Sequence, residues 1–338
     1  MRAGVGRGTV SRVVNGSPVV SDQARAAVLR AIDELGYVPN RAARSLVTRR
    51  TDCVALVVSE SEERVFAEPF FAGVVRGVGA EIAGTAFQLW LAMANGSTDR
   101  RRLGRHLTAQ HVDGVMLLSV HGDDPLPRQL EDSGLPTVLG GRPTGFTPGR
   151  YVDVDNHGGA LLAVDHLIGR GRRRIATIAG SQDMLAGVAR LEGYRDALRR
   201  AGLLPEADAG GGAADADAGD RVAYGGFTEV GGQAAMEELL ARGPDLDAVF
   251  VASDPMAFGA MRALKRAGRR IPDDVAVVGF DGSPAAANTE PPLTTVRQPA
   301  EAMGRHMVRL LLAQIDDRGP RDRPTVILAP DLVVREST

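Results

Sequence analysis

The chain has 338 residues, a length that suits two or three domains. Hydrophobic residues make up 44% and charged residues 24%, a composition typical of globular proteins. Its single cysteine, Cys53, excludes an internal disulfide and fits a reducing compartment. The N-terminus has no apolar run behind its arginines, and no stretch is apolar for long enough to cross a bilayer. We therefore expect neither a secretory signal nor membrane attachment, and a cytoplasmic location.

Charge is distributed unevenly along the chain. Residues 1–50 contain nine arginines and three acidic residues, a net charge of +6, although the whole chain carries −2. A basic segment joined to an acidic body indicates that the N-terminal region meets a polyanion. A basic end that is merely solvated remains the alternative.

The N-terminal segment predicts two short helices. Val10, Val13 and Val14 form an apolar stripe, and the opposite face carries small polar and basic side chains. A helix of this kind fits the major groove of DNA. Ser21 is a good N-cap for the next helix, and Gly36 is a typical residue to end it.

A third short helix is predicted to follow. Pro39 keeps the residue before it extended, and Asn40 can cap a helix that runs over residues 41–48. This segment is rich in alanine and arginine, and we expect it to carry one exposed apolar residue, Leu46.

The rest of the chain alternates short apolar strands with helical segments, which predicts doubly wound parallel sheets of the α/β class. Eight strands and a tail suit two lobes better than one sheet. The predicted strands span 53–58, 87–93, 114–118, 137–140, 151–154, 175–179, 248–252 and 275–280. The predicted helices lie around 71–83, 98–110, 156–169, 190–201, 229–242, 254–267 and 299–315. Residues 205–220 are of low complexity and indicate a mobile surface loop.

Polar residues follow several of the predicted strands. Ligands of doubly wound sheets bind at the carboxyl ends of the strands, so these positions favour a polar pocket, although each one alone could be a helix cap. They are Ser59 and Glu60, Gly141 and Arg142, Asp155, Ser253 and Asp254, and Asp281.

The residues give little support to an enzyme. The Gly4-x-Gly6-x-Gly8 segment lacks the spacing and the preceding strand of a dinucleotide fingerprint, and there is no nucleophile elbow or P-loop. The histidines are scattered, and His106 and His111 should face different ways on a helix. We therefore expect no metal site and no cofactor.

Motifs along nearly the whole chain resemble the LacI/GalR family of transcriptional regulators. Residues 9–15 read Thr-Val-Ser-Arg-Val-Val-Asn, similar to the family's recognition helix, and residues 37–46 resemble its hinge helix. Further segments that look like family signatures, in family order, are 166–175, 190–194, 253–261, 271–281 and 292–298. The family's first helix, which should precede residue 3, is absent, so we expect Met1 to be a misassigned start and the helix-turn-helix to be a remnant.

The resemblance implies that residues 1–50 form a small all-α helix-turn-helix remnant and hinge helix that bind double-stranded operator DNA. Leu46 would be a wedge in the minor groove, paired with its dimer mate, and packing onto the next domain is its alternative. Arg12 could read bases or only contact a phosphate. Gly8 stands where a side chain usually reads a base. The implied DNA-binding residues are Arg7, Gly8, Thr9, Ser11, Arg12, Asn15, Asn40, Ala43 and Leu46.

For residues 51–338 the resemblance implies a periplasmic-binding-protein-like pair of lobes that dimerises and binds a small effector, with a sugar as the expected class. Lobe one would hold about 51–154 and 298–317, and lobe two about 155–297 and 318–338. The implied effector residues are Glu60, Phe71, Arg190, Phe227, Ser253 and Asp281.

Three of these effector residues suggest how a sugar would be held. Arg190 and Asp281 would hold adjacent hydroxyls, and Phe227 would stack on the sugar's apolar face. A structural salt bridge is the alternative for Arg190. Ser253 stands where many relatives have asparagine.

The expected function is therefore a DNA-binding regulator, a repressor by resemblance, whose operator affinity responds to an effector between the lobes. A sugar-binding protein without DNA-binding activity is the alternative, but a signal peptide would be expected there. A relic that has lost DNA binding is a third reading. The sequence leaves open whether the effector releases or retains the operator.

Overall fold

The computed structural model describes residues 2–14, 17, 19–37, 50–122, 124–204, 221–243, 245–316 and 324–338. The predicted hinge helix lies outside these residues, as do Asn15, Asn40, Ala43, Leu46 and the low-complexity segment 205–220.

The N-terminal region contains two helices, α1 (Arg7–Val14) and α2 (Asp22–Leu35). Val13 of α1 is buried together with Val28 and Ala31 of α2, so the valine stripe packs on α2. Ser21 caps α2 by accepting from the Ala24 N–H, and Gly36, with φ 55°, ends it in the left-handed conformation. Both caps were predicted from the sequence.

The first lobe is built on a six-stranded sheet in the order β11-β5-β4-β3-β1-β2, with every recorded pairing parallel. Its strands are β1 (Cys53–Val58), β2 (Gln88–Met93), β3 (Gly114–Leu118), β4 (Thr137–Gly140), β5 (Tyr151–Val154) and β11 (Thr325–Leu328). Its helices are α3 (Glu62–Ala67), α4 (Pro69–Ile82), α5 (Ser97–His106), α6 (Leu126–Asp132) and α11 (Ala300–Ile315).

The second lobe repeats the plan with the order β12-β10-β9-β8-β6-β7, in which β12 alone runs antiparallel to its neighbour. Its strands are β6 (Ile175–Ala179), β7 (Val222–Tyr224), β8 (Ala248–Val251), β9 (Ala276–Asp281), β10 (Thr294–Arg297) and β12 (Asp331–Val333). Its helices are α7 (Asn156–Gly169), α8 (Leu185–Arg200), α9 (Glu229–Arg242), α10 (Asp254–Arg266) and the 3₁₀ helix Pro284–Asn288. Doubly wound α/β lobes with a small helical N-terminal region are thus confirmed.

The chain crosses between the two sheets after β5, after β10 and after β11. The last crossing corrects the expected lobe boundary, because β11 pairs with β5 and so belongs to the first lobe rather than the second. β11 and β12 have four and three residues and are half exposed, so they lack the continuous apolar run that revealed buried strands of similar length. The backbone N–H of Asp155 donates to the Leu328 carbonyl at 2.9 Å and so ties the first and third crossings together.

The end of α5 contradicts one expectation. A π-helical turn, Leu107–His111, follows α5 and stacks the rings of His106 and His111 with centroids 4.2 Å apart. The prediction that these rings face different ways was wrong, since residues five apart align on a π turn. Within the described part of the chain, no three His, Cys, Asp or Glu side chains are grouped to hold a metal ion.

No helix in the described ranges is both long and apolar enough to span a membrane.

Helices α4 and α11 approach each other closely on one face of the first sheet. Gly77 of α4 lies against the backbone of Glu301, so that a Cβ at this position would overlap the Glu301 carbonyl oxygen. Gly79, on the same helix, would have no atom within 4 Å of an added Cβ. The contact therefore depends on the missing side chain of Gly77.

We expect Gly77→Ala to lower the free energy of unfolding by about 1–3 kcal/mol, because the helices must separate or the backbone must shift. Gly79→Ala is the matched control and should raise stability by up to about 1 kcal/mol through helix propensity. Thermal unfolding followed by circular dichroism measures both. Equal melting temperatures for the two variants would contradict the close contact.

Candidate functional site

A cleft lies between the two lobes, at the carboxyl ends of the parallel strands of both sheets. This is where ligands of doubly wound folds bind. Side chains of the first lobe that line it are Arg64, Glu68, Phe70, Phe71, Ser119, Arg142 and Asp153. Those of the second lobe are Asn156, Met184, Arg190, Phe227, Ser253 and Asp281, and Gln298 lies at a crossover.

Five of the six effector residues proposed from the sequence meet in this cleft, namely Phe71, Arg190, Phe227, Ser253 and Asp281. Glu60 is not part of the lining. Its Oε1 accepts hydrogen bonds from Arg64 Nη1 at 2.7 Å and Ser119 Oγ at 2.5 Å, and lies 2.8 Å from His121 Nε2. Burial alone would raise the pKa of Glu60, but the hydrogen bond with His121 and the charge of Arg64 hold it below its ordinary value. Glu60 therefore positions its neighbours.

Arg190 projects from α8 and is almost completely buried. Its Nε donates to Asn156 Oδ1 at 2.9 Å, and its Nη1 donates to the Ala252 carbonyl at 2.6 Å and lies 3.6 Å from Asp281 Oδ1. The guanidinium lies 3.7 Å from the centroid of the Phe280 ring. Among the described residues these bonds use Nε and Nη1, which leaves Nη2 for a ligand.

Asp281 occupies the floor of the cleft with a backbone φ of 114°, a region that non-glycine residues rarely adopt. Its Oδ1 accepts from Gln298 Nε2 at 2.7 Å, and its carbonyl accepts from the Gln298 N–H at 3.2 Å. Burial raises the pKa of Asp281, although the charge of Arg190 acts against that shift. The strained residue thus connects the cleft to the second crossing.

A second buried carboxyl lies behind Asp281. Asp254, at the start of α10, accepts from the Ser283 N–H and the Thr295 hydroxyl, both at 2.6 Å. Burial, together with the charge of Asp281, raises the pKa of Asp254 to about 7. Ser253 caps α10 by accepting from the Met256 N–H at 3.4 Å, so it is a helix cap as well as a cleft residue.

The sequence did not reveal part of the first-lobe wall. Helix α3 presents Arg64, whose Nε donates to Glu68 Oε1 and whose guanidinium lies 5.5 Å from the centroid of the Phe227 ring across the cleft. Burial raises the pKa of Glu68 to about 7. Ser61, which caps α3, and the acidic Glu62 after it were the available signal for this helix.

Arg142 and Asp153 complete this wall. Arg142 Nε donates to Asp153 Oδ2 at 2.8 Å. The sequence predicts Arg142 as a polar residue after a strand, whereas Asp153 lies inside β5 and carries no such signal.

The described residues proposed to bind DNA lie on α1. Arg7, Gly8, Ser11 and Arg12 are exposed and Thr9 is half-buried, whereas Val13 faces α2. An exposed polar and basic face on a helix with an apolar back is compatible with docking into a groove.

Comparison with known proteins gives two matches to family descriptions. Residues 1–40 match "Bacterial regulatory proteins, lacI family", and residues 164–338 match "Periplasmic binding protein-like domain".

Relatives match over almost the full length. The HTH-type transcriptional regulator CelR of Thermobifida fusca is 56% identical over 338 residues, which cover 99% of this chain and 95% of the relative. The regulator MalR of Streptomyces coelicolor is 35% identical over 344 residues, with 100% and 94% covered.

Solved structures give the same result. A transcriptional regulator CelR–cellobiose complex has 52% sequence identity and a TM-score of 0.79, with 100% of this chain and 97% of that chain covered. The lac repressor dimer bound to operator and the anti-inducer ONPF has 26% identity and a TM-score of 0.82, with 99% and 96% covered.

These relatives are transcriptional regulators, and one of them is solved on operator DNA, which favours the regulator over a sugar-binding protein without DNA-binding activity. With its helical N-terminal region and two-lobed body, the chain belongs to the lacI family of bacterial transcriptional regulators.

Proposed function

We propose that the protein binds operator DNA as a homodimer and that a β-linked glucose disaccharide, with cellobiose as the type, occupies the cleft and sets operator affinity. The proposal rests chiefly on the convergence of Phe71, Arg190, Phe227, Ser253 and Asp281 on one cleft. It is supported by the 52% identity to a regulator solved with cellobiose and by the family's dimer on operator DNA.

The chemistry of the cleft suits an uncharged, hydroxyl-rich ligand. Three arginine–carboxylate pairs line it: Arg190 with Asp281, Arg142 with Asp153, and Arg64 with Glu68. Each pair offers both donors and acceptors, as adjacent sugar hydroxyls require. In each pair the arginine charge lies next to a carboxyl group, so none of the three arginines faces the ligand as an isolated cation. An anionic ligand would have to compete with the carboxylates.

Phe227 gives the cleft an apolar surface between Arg64 and Arg190, whose guanidinium carbons lie 5.5 and 5.7 Å from its ring centroid. The C–H face of a pyranose can stack on such a ring, while its equatorial hydroxyls reach the charged pairs.

A route to the DNA starts at the cleft floor. Asp281 holds Gln298, and α11 of the first lobe begins two residues later. A ligand that draws on Asp281 therefore acts on a crossing between the lobes. Coupling between effector and operator sites in such proteins is typically about 1–3 kcal/mol.

The proposal is tested by calorimetric titration of the full chain with cellobiose, and with maltose as the α-linked control. Fluorescence anisotropy then measures binding to the DNA upstream of its own gene, with and without sugar. We expect cellobiose to bind at least about tenfold more tightly than maltose and to change DNA affinity. Equal affinities for cellobiose and maltose, or a DNA affinity that is the same with and without sugar, would refute the proposed effector.

Phe227→Ala should weaken cellobiose binding by about tenfold or more, since the stacking surface is lost while the charged pairs remain. Phe146→Ala is the matched control, because Phe146 also packs under an arginine, Arg128 at 5.3 Å, but does not line the cleft. Calorimetry measures both, and a melting curve of each variant checks folding. A Phe227 variant with normal affinity would remove the ring from the site.

Arg12→Ala should lower operator affinity and reduce the slope of log affinity against log salt by about one, because one fewer counterion is released. Arg30→Ala on α2, where Arg30 is also exposed, is the control and should keep the slope. Anisotropy titrations over a series of salt concentrations give both values. An unchanged slope with Arg12→Ala would exclude a contact of Arg12 with DNA phosphate.

A further inference from the structure

A histidine at the edge of the cleft connects the two lobes. His121 follows β3 of the first lobe, and its Nδ1 lies 2.9 Å from Oδ2 of Asp183, which precedes α8 of the second lobe. Its Nε2 lies 2.8 Å from Oε1 of Glu60, in the first lobe. The neighbouring Gly122 N–H donates to the Asp183 carbonyl at 2.8 Å. One imidazole thus joins carboxylates of different lobes.

We propose that His121 is a positioning residue that holds the lobes closed over the effector by bridging Glu60 and Asp183 as an imidazolium, so that effector binding is accompanied by proton uptake. This inference rests on the proposed function in one respect, that the effector binds between the lobes.

The geometry favours the protonated ring when both carboxylates are ionised, and the lowered pKa of Glu60 keeps that group ionised. A neutral imidazole has one N–H and can donate to only one carboxylate, which leaves the lone pair of its other nitrogen facing a carboxylate oxygen. The imidazolium donates to both. The hydrogen bond with Glu60 raises the pKa of His121 above its ordinary 6.5, burial opposes the rise, and the hydrogen bond with Asp183 adds to it.

The direction of the pH effect follows from this shift. Glu60 belongs to the same lobe as His121, so closure adds only the contact with Asp183, which raises the pKa of His121 above that of the open form. The bridge contributes fully to closure below the open-form pKa, and its contribution is lost as pH rises through the higher pKa of the closed form. Effector affinity should therefore fall as pH increases across this range.

Other charged groups surround the bridge. Arg64 also binds Glu60, and it connects Glu60 to Glu68. On the loop of His121 itself, Asp124 is paired with Arg100 at 3.2 Å. Since Glu68 has a pKa of about 7, it titrates in the same range. Its contribution to the pH dependence of effector affinity must therefore be separated from that of His121.

The second lobe offers a matched control. His157 Nε2 lies 2.9 Å from Asp196 Oδ2, but this pair joins α7 to α8 within one lobe and involves a single carboxylate. The distance between its nitrogen and carboxylate oxygen equals that between His121 and Asp183, but the pair does not connect the two lobes.

The test is calorimetric titration of the full chain with cellobiose from about pH 6 to about pH 8, in buffers of different ionisation enthalpy. The variants are His121→Gln, Asp183→Asn and His157→Gln, each also made in a Glu68→Gln background. We expect affinity to fall roughly threefold or more with pH when His121 and Asp183 are present. In the Glu68→Gln background, this fall should be lost in His121→Gln and Asp183→Asn and retained in His157→Gln. The same pH dependence with and without His121, in the Glu68→Gln background, would overturn the proposal.

A second measurement does not depend on the effector. Histidine ring resonances followed by NMR, with His121 assigned from the His121→Gln spectrum, give its pKa directly. We expect that pKa to be higher in the wild-type protein than in Asp183→Asn. Equal values, with or without sugar, would refute the bridge, whereas failure of cellobiose to bind at every pH would count only against the proposed effector.

Discussion

The cleft depends on one buried charge. Asp281 is a carboxylate in a strained backbone conformation, and burying it is costly unless opposite charge and hydrogen bonds compensate. Arg190 and the amide of Gln298 supply that compensation. The floor of the site, a helix of the second lobe and a crossing between the lobes are therefore linked through a single side chain. A ligand that takes one of these hydrogen bonds disturbs all three.

Much of this arrangement could be predicted because its elements bury continuous apolar runs. β1 and β3 are completely buried and were predicted with the observed bounds. The helices α7 and α9, capped by Asp155 and Thr228, were also predicted to the residue. Strand ends in a parallel sheet meet at one edge, and this explains how Ser253 and Asp281 could be assigned to one site. Arg190 lies inside α8 and was assigned to that site through the family resemblance alone.

The features that could not be predicted from the sequence have physical causes. Helix α3 has only six residues, too few for a periodic pattern to stand out. β11 is as short as the predicted strands β4 and β5, but it is half exposed and lacks their continuous buried run. The side chain of Glu60 leaves its strand end at the expected place but is held away by Arg64 and His121, contacts that a sequence does not display. The π turn that ends at His111 changes the direction in which this side chain points, and it does so through backbone hydrogen bonding alone.

The contact of α4 with α11 also determines how motion passes through the first lobe. α4 carries Phe71 into the cleft, and α11 begins just after the crossing at Gln298. At Gly77 the two helices meet backbone to backbone, with no flexible side chain between them to absorb a displacement. We therefore expect α4 and α11 to move as one rigid unit, so that a small displacement of Phe71 also displaces α11.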